Sequence, residues 1–280
     1  MVGFNPSRAK FKGPELFPRF TVENQIEPLN AAKLRPSTLL IVAERNGERR
    51  AFLLSEMAYH HVAEGELGGE PFCVSFCVPC HIGVGINPVL DGRRLHFSAG
   101  GVSEAMLMLV DDETQTYWRP ATGEALHGPL AGRQLKTWPV SITTVREALK
   151  SDPELRLSRT RINPFTPKKM MVTPWTWAVR SKSLLPPGFR KTISRADERR
   201  PDMEHGLGVV IGSRARYYPL EVLQRGLQEE WEGRSLYLAL QEEDGLPKAE
   251  WENGERPFQL FTRWYGFSLT YPGCEVVQPE

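Results

Sequence analysis

The sequence predicts an α+β fold that is β-rich, mainly antiparallel sheet with short helices, and built from two related halves. Three observations predict it. Apolar runs of strand length are divided at short intervals by turn dipeptides, Asn46-Gly47, Asp91-Gly92 and Thr122-Gly123. The stretches with helical spacing are short, residues 53–64 and 143–150. Segments of the front half also return in the back half in the same order, which is how an internal duplication reads. RRAFLLSEM (49–57) is echoed by ARYYPLEVL (215–223), GGEPFCVSF (68–76) by EGRSLYLAL (232–240), and TTVREALKSDPELRLS (143–158) by TRWYGFSLTYPGCEVV (262–277).

Residues 1–35 are rich in proline and mixed charge without a period, and read as an arm laid over the body. TLLIVAER and ERRAFLL flank Asn46-Gly47, a pair suited to a type I′ hairpin. The helix expected over 53–64 carries His60 and His61 near its end, and Gly68-Gly69 leads from it into a strand over 71–76. AMLMLV (105–110) has the length of a buried strand, so Met106 and Met108 are core residues in this reading. Asp111-Asp112 then ends that strand in a solvated turn. The front half spans residues 36–160. Residues 161–200 form a proline-stiffened connector carrying Trp175, Trp177 and the basic run RSKSLLPPGFRK, and residues 201–280 form the back half.

The 280 residues are 40% hydrophobic and 25% charged, the composition of a folded globular chain. Thirty-five Lys and Arg nearly cancel 34 Asp and Glu, so no global field draws in nucleic acid or an anionic membrane. The first residues lack an apolar run after their basic residues, and no later run has the length of a membrane span; the expectation is a cytoplasmic protein. The sequence names no partner.

Chemistry concentrates in FCVSFCVPCHIGVG (72–85), where Cys73, Cys77, Cys80 and His81 fall within nine residues. Cys77-Val78-Pro79-Cys80 is a C-x-x-C, whose spacing aims two sulfurs into one volume, as half of a tetrahedral zinc site or as a dithiol of lowered thiolate pKa. In a reducing compartment such a pair is metal or redox chemistry before it is a structural disulfide. No second C-x-x-C exists, so further ligands are sought among His60, His61, His81 and Cys73. Cys73 and Cys77 share one face of an extended run while Phe72 and Phe76 take the other. Thiolates and imidazoles suit zinc or copper(I), whereas the lack of a carboxylate cluster argues against magnesium or calcium. Cys77 to His81 also spell C-x-x-C-H, the c-type haem attachment pattern, but the lack of an export signal argues against haem. A Cys nucleophile with His60 as base is a further reading, as is a non-enzymatic interaction module in which the C-x-x-C ties an inserted β-segment to the body. Residues present in one half alone, Cys77, Cys80 and His60, are the candidates for function. The back half also lacks most of the stretch from Cys77 to about Glu124.

The order of RAFLLSEMAYHHV, LGGEPFCVSFCVPC, DGRRLHFS, DDETQTYWRPATGEALHGPLAG and TTVREALKSDPELRLS resembles the bacterial domain-of-unknown-function family 3179. In that family the position of His60 is a His followed by an acid, and those of Cys77 and Cys80 belong to C-P-L-C followed by Gly. Here His61 replaces the acid, Val78-Pro79 replaces Pro-Leu, and His81 replaces the Gly, adding two imidazoles to the same set. The resemblance implies a relative but no reaction, and members of the family often look exported.

Overall fold

In a computed structural model, which describes residues 4–22, 25–161 and 185–279, the N-terminal residues are stitched into the body. They supply three short strands, β1 (Lys10–Phe11), β2 (Phe20–Thr21) and β3 (Ile26–Pro28), each added to a different sheet. Trp175 and Trp177 of the expected connector lie outside the described residues.

Asn46 and Gly47 both take positive φ, 47° and 80°, the type I′ geometry whose twist matches paired strands, and join β4 (Leu39–Arg45) to β5 (Glu48–Leu53). Helix α1 (Leu54–His60) follows, and is shorter than the spacing over 53–64 suggests. His61 turns into the left-handed region at φ 63°, its N–H caps the Met57 carbonyl, and the chain at once becomes β6 (Val62–Leu67). The alternation of the β6 side chains is masked in the sequence because nearly all of them are buried. Gly68-Gly69 then reverses the chain into β7 (Glu70–Cys77), which pairs onward with β8 (Ile82–Ile86).

Between β8 and the end of the front half lie β9 (Val89–Leu90), β10 (Arg93–Arg94), β11 (Phe97–Ser103), β12 (Met106–Asp111), β13 (Tyr117–Arg119), β14 (Glu124–His127) and β15 (Thr137–Pro139). Asp91-Gly92 closes β9 on β10, and Thr122-Gly123 lies between β13 and β14. Next come β16 (Ser141–Thr144), α2 (Val145–Ser151), whose N-cap Thr144 accepts the Glu147 N–H, and β17 (Arg156–Ser158). The connector carries α3 (Pro187–Arg190), and the back half contains β18 (His205–Ile211), β19 (Arg214–Pro219), α4 (Leu220–Leu223), β20 (Leu227–Trp231), β21 (Arg234–Leu240), β22 (Pro247–Trp251), β23 (Phe258–Arg263), α5 (Trp264–Thr270) and β24 (Glu275–Val276).

Among the described residues these strands form six small sheets in a propeller-like arrangement, with antiparallel pairing throughout except at β2/β6, β5/β17 and β19/β24. The fold is therefore β-rich with short helices. Two sheets share an order, β16-β4-β5-β17 and β23-β18-β19-β24, each with two antiparallel pairings followed by a parallel one. Each half also lays a hairpin tip on the other. The Asp244 carboxylate, beyond β21, accepts from Thr143 Oγ1, Thr144 Oγ1 and Thr144 N at the start of α2. The Cys80 carbonyl, beyond β7, accepts from Thr262 Oγ1 (2.9 Å) and Arg263 N (3.0 Å) at the start of α5.

The two faces of β7 separate as its alternation requires. Phe72 and Phe76 join Phe20, Ile41 and Phe52, whereas Cys73 packs with Val84, Ile86 and Trp118, and Cys77 with Cys80, Trp264 and Tyr265. Among the described residues no helix is long and apolar enough to cross a membrane.

Candidate functional site

Cys77 is the last residue of β7, and Val78 to His81 form the turn before β8, with Cys77 and Ile82 paired across it. The turn closes only because His81 takes φ 61°, a conformation that costs an L-residue energy and that glycine adopts freely. This accounts for the Gly that the resemblance places there.

The turn brings the two thiols together, and the Cys80 S–H donates to the Cys77 carbonyl (4.0 Å). Cys77 Sγ accepts the backbone N–H of Leu107 from β12 (3.4 Å). Both residues are buried, at 4% and 1% exposure. Cys80 is seated on the first turn of α5, where Gly266 leaves room for it; a Cβ at 266 would stand 2.7 Å from the Cys80 Cβ. A Gly266→Ala substitution is therefore expected to destabilise the protein by about 1–3 kcal/mol despite alanine's better helix propensity. A denaturation midpoint unchanged or raised would show that the seat has slack.

The electrostatics divide the pair. Burial pushes the Cys77 thiol up, but its neighbour Cys80, through side chain and backbone, the Leu107 N–H and the Arg263 charge together outweigh it and bring Cys77 below the ordinary thiol range. Cys80 is driven up, by burial and then by its neighbour Cys77. The pair is thus asymmetric, with Cys77 the more readily ionised of the two. Arg263, only 3% exposed, donates Nη1 to the Pro79 carbonyl (2.8 Å) and Nε to His205 Nε2 (3.3 Å), and its charge reaches both sulfurs. His81 points its ring away from the thiols, packing edge-on to Phe76, Phe261 and His205. Burial, then the His205 and Arg263 charges, hold His81 down to about 3; burial and Arg263 hold His205 at about 4.

The other sequence candidates are engaged elsewhere. His60 Nδ1 donates to the Pro18 carbonyl (2.5 Å), which leaves Nε2 to accept the Thr160 hydroxyl (2.9 Å), so the ring is a neutral clamp between the N-terminal strands and the residues after β17. His61 Nδ1 lies 3.0 Å from the Phe76 carbonyl, under Phe17. Cys73 shares its side of β7 with Cys77 but faces Glu64 across the β6/β7 pairing, and burial raises its thiol well above the ordinary range. All four cysteines and all six histidines fall among the described residues, and there no three His, Cys, Asp or Glu side chains gather as metal ligands would. His96 pairs with Glu113, Ser98 with Arg19, and Glu104 with the Ser194 N–H. Asp111 is fully buried rather than part of a solvated turn. Met106 and Met108 are core residues, as expected.

Arg263 is the buried charge beside the two thiols that pattern reading missed. A signal was present: in the echo of 143–158 by 262–277, Arg263 stands where the front half has the helix-capping Thr144. Sequence comparison finds a match over residues 16–163 to the family DUF3179, described as a protein of unknown function. No curated protein and no solved structure matches the chain. The motifs from RAFLLSEMAYHHV to TTVREALKSDPELRLS all lie inside the matched span, and the chain belongs to the DUF3179 family.

Proposed function

We propose that Cys77 and Cys80 form a buried dithiol centre, and that a two-repeat β scaffold holds it. The observation that carries this reading is that Cys77 Sγ, buried with Cys80 in an apolar cluster, accepts the Leu107 N–H, a donor that favours the ionised sulfur. Its chemistry is reversible closure: a sulfur–sulfur bond forms while two hydrogens pass to an oxidant. A free dithiol suits a reducing compartment, which supports the cytoplasm.

The repeat reading is supported by register. With a shift of 119 for Arg156 and α2, and of 166 for Arg50, the pairing of Arg156 with Arg50 corresponds to that of Glu275 with Arg216, and α2 to α5. With a shift of 164, Cys77 to Ile82 correspond to Gln241 to Leu246, so Cys80 falls on Asp244 and His81 (φ 61°) on Gly245 (φ 67°). The stretch missing from the back half by this alignment is then residues 87–140, reduced to 251–259, with β8 retained as β22.

Mild oxidation of the folded, reduced protein with a diazene dicarboxamide tests the dithiol. Peptide mapping is expected to find one Cys77–Cys80 disulfide, with Cys73 and Cys274 still reduced. If both thiols survive in protein that stays folded, the second reading takes over. There the C-x-x-C is a tie, supported by the Leu107 bond to Cys77 and the Thr262 and Arg263 bonds to Cys80, which fasten β12 and the back half to one turn.

A further inference from the structure

We infer that the dithiol is a binding site for copper(I), held by the Cys77 and Cys80 sulfurs alone in a two-coordinate arrangement. The inference rests on the dithiol reading and adds the identity of what the two sulfurs take.

The donor set supports it first. Two sulfurs meet at one turn, and the histidines that would complete a four-ligand zinc site are committed elsewhere, His60 to Pro18 and Thr160, and His81 to a stack of Phe76, Phe261 and His205. Zinc in a structural site takes four ligands, whereas soft thiolates select copper(I), an ion that is stable with two. The surroundings point the same way. Ile82, Ala105, Leu260, Trp264 and Phe267 wall the pair in a largely apolar enclosure, and among the described residues no carboxylate cluster gathers there as calcium or magnesium would need.

Charge supports it next. Two thiolates around one copper(I) carry a net charge of −1, and the buried Arg263 guanidinium, which acts on both sulfurs, offsets it. The Leu107 N–H remains useful after binding, because a metal-bound thiolate still accepts an N–H. The reaction is a ligand exchange: both thiols release their protons, two copper–sulfur bonds form, and no electron moves.

The test uses the full chain, reduced and oxygen-free, competing for copper(I) with a bicinchoninate chelator. One copper(I) per chain is expected to leave the chelator, with an X-ray absorption spectrum showing two sulfur neighbours and no nitrogen. Cys77→Ser and Cys80→Ser should each weaken binding by about 100-fold or more, beyond the roughly 10–100-fold that loss of a mere outer-shell partner costs, while a Cys73→Ser/Cys274→Ser variant keeps it. Copper left with the chelator by folded wild-type protein overturns the inference. So do nitrogen neighbours, a third or fourth ligand, or retention in Cys80→Ser. If the single variants do not fold, the wild-type spectrum and the Cys73/Cys274 variant decide alone. Protein whose thiols close with the diazene but ignore copper keeps the dithiol and loses the metal; protein that does neither loses both.

Discussion

Between pH 6.5 and 5 the folded protein is expected to lose stability, because it holds imidazoles that cannot take up the proton their unfolded counterparts accept. His81 and His205 sit at about 3 and about 4, against 6.5 for an unfolded histidine, and His60 is lowered by burial. A depressed histidine contributes stability fully above the unfolded value and loses it as pH falls toward the folded one. That amounts to about 2 kcal/mol for each of the first two rings by pH 5. His81 faces His205 and Arg263, so the two rings also repel each other when charged, and their losses do not simply add. Glu64 works in the other direction. Burial raises its carboxyl to about 7 despite the Phe97 N–H and Arg19, so its contribution grows as pH falls toward 4.5. Denaturant unfolding at pH 7 and 5 should therefore show a net loss that His205→Phe flattens and Glu64→Gln steepens. Equal midpoints at the two pH values in all three proteins would mean the imidazoles are not buried as described.

Asp111→Ala is expected to cost about 3–5 kcal/mol, the largest effect of any single substitution considered, because it strips several buried donors of their common acceptor. The Asp111 carboxylate, with no exposure, accepts from Thr114 N (2.6 Å), Thr116 N (3.1 Å) and Trp118 Nε1 (2.8 Å). It stands at the end of β12, the strand that offers the Leu107 N–H to Cys77. The substitution should lower the denaturation midpoint and also speed alkylation of Cys77 under native conditions. A loss below about 1 kcal/mol would mean that water replaces the carboxylate, and that this end of the sheet is open.

The hairpins were legible because turn dipeptides carry their own conformational preferences. The split of Phe72 and Phe76 from Cys73 and Cys77 was legible because strand alternation is strict. The C-x-x-C was legible as a pair because only two residues of turn separate the cysteines and leave the sulfurs little choice. His60 was not. Helical spacing says on which side of α1 it lies, but not that Pro18 and Thr160, distant in the chain, close over that side. The strands of the N-terminal arm are two or three residues long, too short to show a period. Asp111 reads as a loop acid by composition, and only the convergence of Thr114, Thr116 and Trp118 makes it a core residue.

The exchange of hairpin tips has a mechanical corollary. The Cys80 carbonyl finishes the helix start of α5, and the Asp244 carboxylate finishes that of α2. Neither helix can fray at its start without letting go of a tip that lies about a hundred or more residues away in the chain, so the two parts of the molecule are clasped to each other at both places.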